Sequence, residues 1–117
     1  DQDGTSFAWI SKPAITTQVY FNGQFVGSFM MVRKLSLSAD GKTLAFLFQR
    51  DCGFDPFATD CSKFYLYAGN NIFGPYFPMD YVWVSSKELK YAFANEKGEA
   101  VIKAVRLGEQ LAMKPLN

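Results

Sequence analysis

Displaced by 47 positions, the chain lies on itself without a gap: "YFNGQFVGSF" from Tyr20 falls on "YAGNNIFGPY" from Tyr67, and "LSLSADGKTLAF" falls on "VWVSSKELKYAF". Tyr20 meets Tyr67, Gly27 meets Gly74, Ser38 meets Ser85, and Ala45 and Phe46 meet Ala92 and Phe93. Phe29 with Tyr76, Leu35 with Val82, Leu37 with Val84 and Leu44 with Tyr91 keep the class of side chain. Few folds accommodate this. A period of about 40–50 residues made of short β-runs describes a series of like sheets, each of which buries its apolar face only against its neighbour. Coincidence among aromatic-rich hairpins is the competing reading.

The runs themselves are strand patterns. "TTQVYFNGQFVGSF" is two β-rich segments around Asn22-Gly23, a dipeptide that supplies the positive φ angles of a two-residue hairpin turn. Leu35 and Leu37 alternate with Ser36 and Ser38 before a second expected two-residue turn at Asp40-Gly41 and the run 43–49. Gly69-Asn70 marks a third hairpin, and further strands are expected near 7–10, 81–84, 89–94 and 100–105. The tail from Gln110 reads as a last short strand or a frayed end, with 109–114 as the one place for a short helix. The fold class is therefore all-β: one domain over 1–117, in blade-like units over about 7–29, 35–76 and 80–114.

Composition supports folding and narrows the partners. With 49% hydrophobic and 17% aromatic residues, the chain is far from disordered composition. A net charge of +1, with acids and bases interspersed and no basic cluster beyond "VRK" at 32–34, argues against nucleic acid. The longest apolar run, at 44–48, is far short of the ~20 residues of a transmembrane helix, so no transmembrane segment is expected.

At the level of motifs, "LSLSADGKTLAF" resembles the S-x-D-G-K-x-[LI]-A-[FY] element of the WD40-like (TolB-type) β-propeller repeats, and "NNIFGPYFPMDYVWVSSKELKYAFANEKGEAVI" resembles a variant with a G-P-Y step between units. The match spans 19–105 and departs where Lys87-Glu88 replaces Asp-Gly. The resemblance implies antiparallel blade-like sheets and a binding or scaffolding role, without supplying a ligand. About two and a half units are present, fewer than the four or more blades of a closed propeller. The sheets are thus expected to be incomplete as a single chain.

Between the runs 43–49 and 63–68 stands "CGFDPFATDC", which holds both cysteines. Without histidine or further cysteine these cannot form a usual zinc site, and the spacing is not that of a redox C-x-x-C. A Cys52–Cys61 disulfide is favoured over two free buried thiols; it points to an extracellular or periplasmic address. The corresponding connection in the next unit is only "NEKG", so the stapled stretch is an insertion. Asp51, Phe54, Asp55, Phe57 and Asp60 form a ligand-contact candidate on the face where propellers bind; the alternative is that the staple offsets loop entropy and the phenylalanines pack back on the sheet. Asp51, Asp55 and Asp60 are a weak calcium candidate, since the D-x-D-x-D-G spacing is absent. No metal or other cofactor is expected.

Catalysis has little to build on. There is no histidine for a Ser-His or Cys-His pair, and the loop carboxylates are not placed across a cleft, so the chain reads as no enzyme. Trp9, Trp83, Tyr65, Tyr67, Tyr76 and Tyr81 read as core or cross-strand pairs before they read as a sugar platform. Two functions remain: a secreted structural protein that completes its sheets with copies of itself in a ring or fibre, or a module binding a carbohydrate, peptide or protein. Unfinished units favour the first, with flanking blades of a longer protein as another cover for the edges. An N-terminal arm carrying Phe7, Trp9, Ile10 and Ile15, with Pro13 as its break, is the expected connector.

Overall fold

A computed structural model of the chain describes residues 8–11, 16–50 and 61–107, and these are all-β. The first sheet takes β1 (Ala8–Ser11), β2 (Thr17–Phe21) and β3 (Gln24–Phe29) in chain order. β4 (Met31–Leu37), β5 (Leu44–Gln49), β6 (Phe64–Ala68) and β7 (Asn71–Tyr76) form the second, and β8 (Met79–Ser85), β9 (Glu88–Ala94) and β10 (Ala100–Arg106) the third. Every pairing is antiparallel, and no sheet closes on itself.

The second sheet lies between the other two. Leu44, Phe46, Phe48 and Tyr67 pack with Val19, Phe21, Val26 and Phe29 of the first sheet. From the opposite face Ala45, Leu47, Phe64, Leu66 and Ala68 pack with Met79, Tyr81, Leu89, Tyr91 and Phe93 of the third. Strand side chains alternate between faces, so a strand covered on both sides must be apolar at successive positions. This accounts for the unbroken "LAFLF" of β5, buried throughout. Burying one such Leu or Phe contributes about 1.5–3 kcal/mol, against roughly 0.2–1 kcal/mol for a cross-strand pair, so packing between sheets dominates cohesion.

Turn chemistry sets the hairpins. Asn22 and Gly23 (φ 51° and 81°) and Gly69 and Asn70 (φ 55° and 68°) take the left-handed angles of two-residue turns. The expected two-residue turn at Asp40-Gly41 is not formed. Gly41 does have positive φ, but the connection spans residues 38–43. Buried Ser38 holds it open: its Oγ accepts the Thr43 N–H at 3.1 Å and donates to Asp40 Oδ1 at 2.6 Å, while the same carboxylate accepts the Lys42 N–H. Those bonds keep the Asp40 pKa below its ordinary value, the Ser38 contact being the largest cause.

The gap-free pairing of Leu35 with Val82 and Leu37 with Val84 also fails. Leu35 and Leu37 pack toward the first sheet, whereas Val82 and Val84 are exposed. Irregularities fall between Arg33 and Ser36 in β4 and between Trp83 and Ser85 in β8, and one extra residue moves the following side chains to the other face. The expected tail structure at 109–114 lies outside the described residues.

Candidate functional site

One end of the stack gathers Met30, the described ends of the connection between β5 and β6 (residue 50 and residues 61–63), residues 77–78 and residues 95–99. Of the stapled stretch, Asp51, Cys52, Phe54, Asp55, Phe57 and Asp60 lie outside the described residues, as do Phe7 and Ile15 of the expected arm. No free cysteine occurs among the described residues, and Cys61 opens the turn that enters β6. At the base of this connection the Gln49 side-chain amide donates to the Ser62 carbonyl at 3.0 Å. Beside it is an open cavity of about 490 Å³ lined by Lys63, Tyr76, Phe77, Phe93, Asn95 and Glu99 among others. Tyr76 stacks on Phe93 at 3.6 Å, and Phe77 is 64% exposed. Asn95 organises the rim, its Oδ1 accepting the Lys97 and Glu99 N–H groups. No group of three metal-ligating side chains occurs among the described residues.

The stack also has two open faces. On the first sheet Trp9 and Tyr20 stack at 4.1 Å and 9°, and Phe25 meets Tyr20 edge-on at 5.6 Å. Trp9 is 43% exposed; Ile10, exposed as well, pairs with Val19 and points to the other side of the sheet. No charged residue occurs in β1, β2 or β3. On the third sheet the side chains opposite the core are Asp80, Val82, Val84, Glu88, Lys90, Ala92, Ala94, Ala100, Ile102, Ala104 and Arg106; Val82 and Ile102 are 57% and 71% exposed. A sheet facing water on one side ordinarily alternates apolar with polar. Here the outward set is largely aliphatic.

Between the second and third sheets lies a polar junction. Lys34, in the β4 irregularity at φ 59°, reaches across to Asp80 Oδ1 at 2.9 Å and to the Tyr81 carbonyl, with its ammonium 4.7 Å from the Tyr81 ring centre. The Lys34 hydrogen bond is the main cause holding the Asp80 pKa below its ordinary value. Ser36 Oγ accepts the Trp83 indole N–H at 3.0 Å and contacts the Tyr81 hydroxyl, which also lies within reach of the Lys34 and Ala45 carbonyls. Burial pushes the Tyr81 pKa up to about 12. Every side-chain nitrogen and oxygen buried at this seam is satisfied, so it fixes how the sheets sit without an orphaned side-chain group.

Of the aromatics named from sequence, Tyr67 and Tyr81 are core, Tyr65, Tyr76 and Trp83 pack against it, and Trp9 stands exposed. Lys34, Asp80 and Ser36 carried no sequence signal, because their partners are 45–47 positions away. Phe77 and the open aliphatic face could have been found: the first follows the G-P-Y step directly, and the second follows from strand alternation once the β8 irregularity is placed. No helix among the described residues is long and apolar enough to cross a membrane. No protein-family model, curated protein or solved structure matches the chain.

Proposed function

We propose that the chain is a non-enzymatic structural module, a short stack of blade-like sheets of the β-propeller-repeat kind that is continued by further copies of itself in a ring or fibre. One observation carries this reading. Ala45 and Leu47 of the second sheet are buried beneath the third, while Ala92 and Ala94, their counterparts 47 positions on, stand on an open face with Val82 and Ile102. An exposed face with this many aliphatic side chains marks an interaction surface. The blade-like reading draws on three successive antiparallel meanders, packed face to face and related by the 47-residue repeat. The Cys52–Cys61 staple and an extracellular or periplasmic address belong to the same proposal.

A second reading, a module binding a carbohydrate, peptide or protein, draws on the cavity beside Phe77. Native mass spectrometry of the full chain across a concentration series separates the two. Multimers growing with concentration are expected; a monomer at every concentration overturns the first reading and favours the second. Peptide mapping without reductant, recovering Cys52 and Cys61 as free thiols, would overturn the staple and the address.

A further inference from the structure

The two open faces are of different kinds, and each repeats one side of the contacts already made inside the chain. Within the stack, the face that each sheet turns to the preceding one carries a cluster of aromatic rings. Phe46 and Tyr67, stacked at 4.9 Å, pack with Val19, Phe21, Val26 and Phe29; Tyr91 and Phe93 pack with Ala45, Leu47, Phe64 and Leu66. The Trp9–Tyr20 pair on the open face of the first sheet has the same form as the Phe46–Tyr67 pair, and Tyr20 corresponds to Tyr67 in the repeat. The open face of the third sheet, with Val82, Ala92, Ala94 and Ile102, has the aliphatic form, and Ala92 corresponds to Ala45.

We propose that the Trp9–Tyr20–Phe25 face of one copy docks on the Val82–Ala92–Ile102 face of another, so that copies join head to tail. This rests on the self-assembly reading above and names its partner surface. The repeat favours this pairing over like against like, since inside the chain the Tyr67 face meets the preceding sheet and the Ala45 face the following one. Lys90 lies in the aliphatic face between Val82 and Ala104 and has no ion-pair partner among the described residues. It shares that face with Asp80 and, by strand alternation, with Glu88 and Arg106. The uncharged aromatic face offers ring faces to the Lys90 cation. The internal seam already has this arrangement, with Lys34 of the second sheet over the Tyr81 ring of the third. Because the two patches differ, the contact is heterologous and propagates into a ring or a fibre.

Single-face variants test the pairing. Trp9→Glu disables the aromatic face and Ile102→Glu the aliphatic one, both at exposed positions; Gln18→Lys and Val82→Glu are alternates on the same faces if either misfolds. Far-UV circular dichroism matching the parent chain certifies folding. By sedimentation velocity alongside the parent, each variant alone should lose association by at least ~10-fold in apparent dissociation constant, about 1.4 kcal/mol. An equimolar mixture should give particles of two chains and none larger, since one intact face of each kind remains. A parent that is monomeric throughout overturns the self-assembly reading and this pairing with it. A parent that assembles, with a folded Trp9→Glu variant assembling equally well or a mixture giving no heterodimer, overturns the pairing alone.

Discussion

Tyr20 and Tyr67 occupy corresponding places in the first and second sheets, and they differ in what covers them. Tyr67 has no exposed surface beneath the first sheet and stacks on Phe46, whereas Tyr20 stacks on Trp9 with its sheet face open. The Tyr20 hydroxyl donates to Gln18 Oε1 at 3.1 Å, so its lone pairs remain available to a donor brought against that face. The same side chain is thus core in one sheet and surface in the next.

Substitutions on the two kinds of face should separate folding from association. Leu66, fully buried between the second and third sheets, should lose about 2–5 kcal/mol of stability on replacement by alanine. Ile102→Ser, on the open face, should change monomer stability by roughly 0.5 kcal/mol or less while weakening assembly. Denaturant melts at a concentration where the chain is monomeric check both.

Gly74 is tightly held by its backbone setting. It has φ 118°, and a Cβ there would lie 2.8 Å from the Phe64 carbonyl oxygen and 3.2 Å from Tyr65 Cα. Both neighbours are backbone, so neither can rotate away. Gly74→Ala should destabilise by more than about 1 kcal/mol, read from the shift in denaturant midpoint. Gly23→Ala, equally left-handed but in open space, should cost less.

Tyr81 sets an alkaline limit. Its pKa is raised from 10.0 to about 12, chiefly by burial, so the folded state retains the phenolic proton after the unfolded chain has released it. Stability from this group is fully present below pH 10 and is lost as pH rises from 10 through about 12, a contribution on the order of 2–3 kcal/mol. Melts between pH 8 and 12 should show the decline, and Tyr81→Phe should flatten it.

Alternation and turn residues made most strands legible, because β-branched and aromatic runs bounded by Asn22-Gly23 or Gly69-Asn70 have few other ways to satisfy their backbones. The repeat identified the side chains that become core in β5, β6 and β9. It failed where one residue changes the alternation: the irregularities of β4 and β8 lie at different places, and Val82 came out on the opposite face from Leu35. The Asp40 turn departs from a two-residue hairpin because the Ser38 side chain satisfies backbone that a tighter hairpin would pair. The Lys34–Tyr81 seam was invisible, since each residue reads as an ordinary surface lysine or strand tyrosine until two sheets meet.

Electron microscopy of the purified chain at high concentration tests head-to-tail continuation most directly. Sheets packed face to face lie about 10 Å apart, so a copy of three sheets should advance the assembly by roughly 30 Å. Rings or filaments with a subunit repeat near that spacing are predicted. Isolated particles the size of one chain, or two-fold dimers and nothing larger, would contradict it.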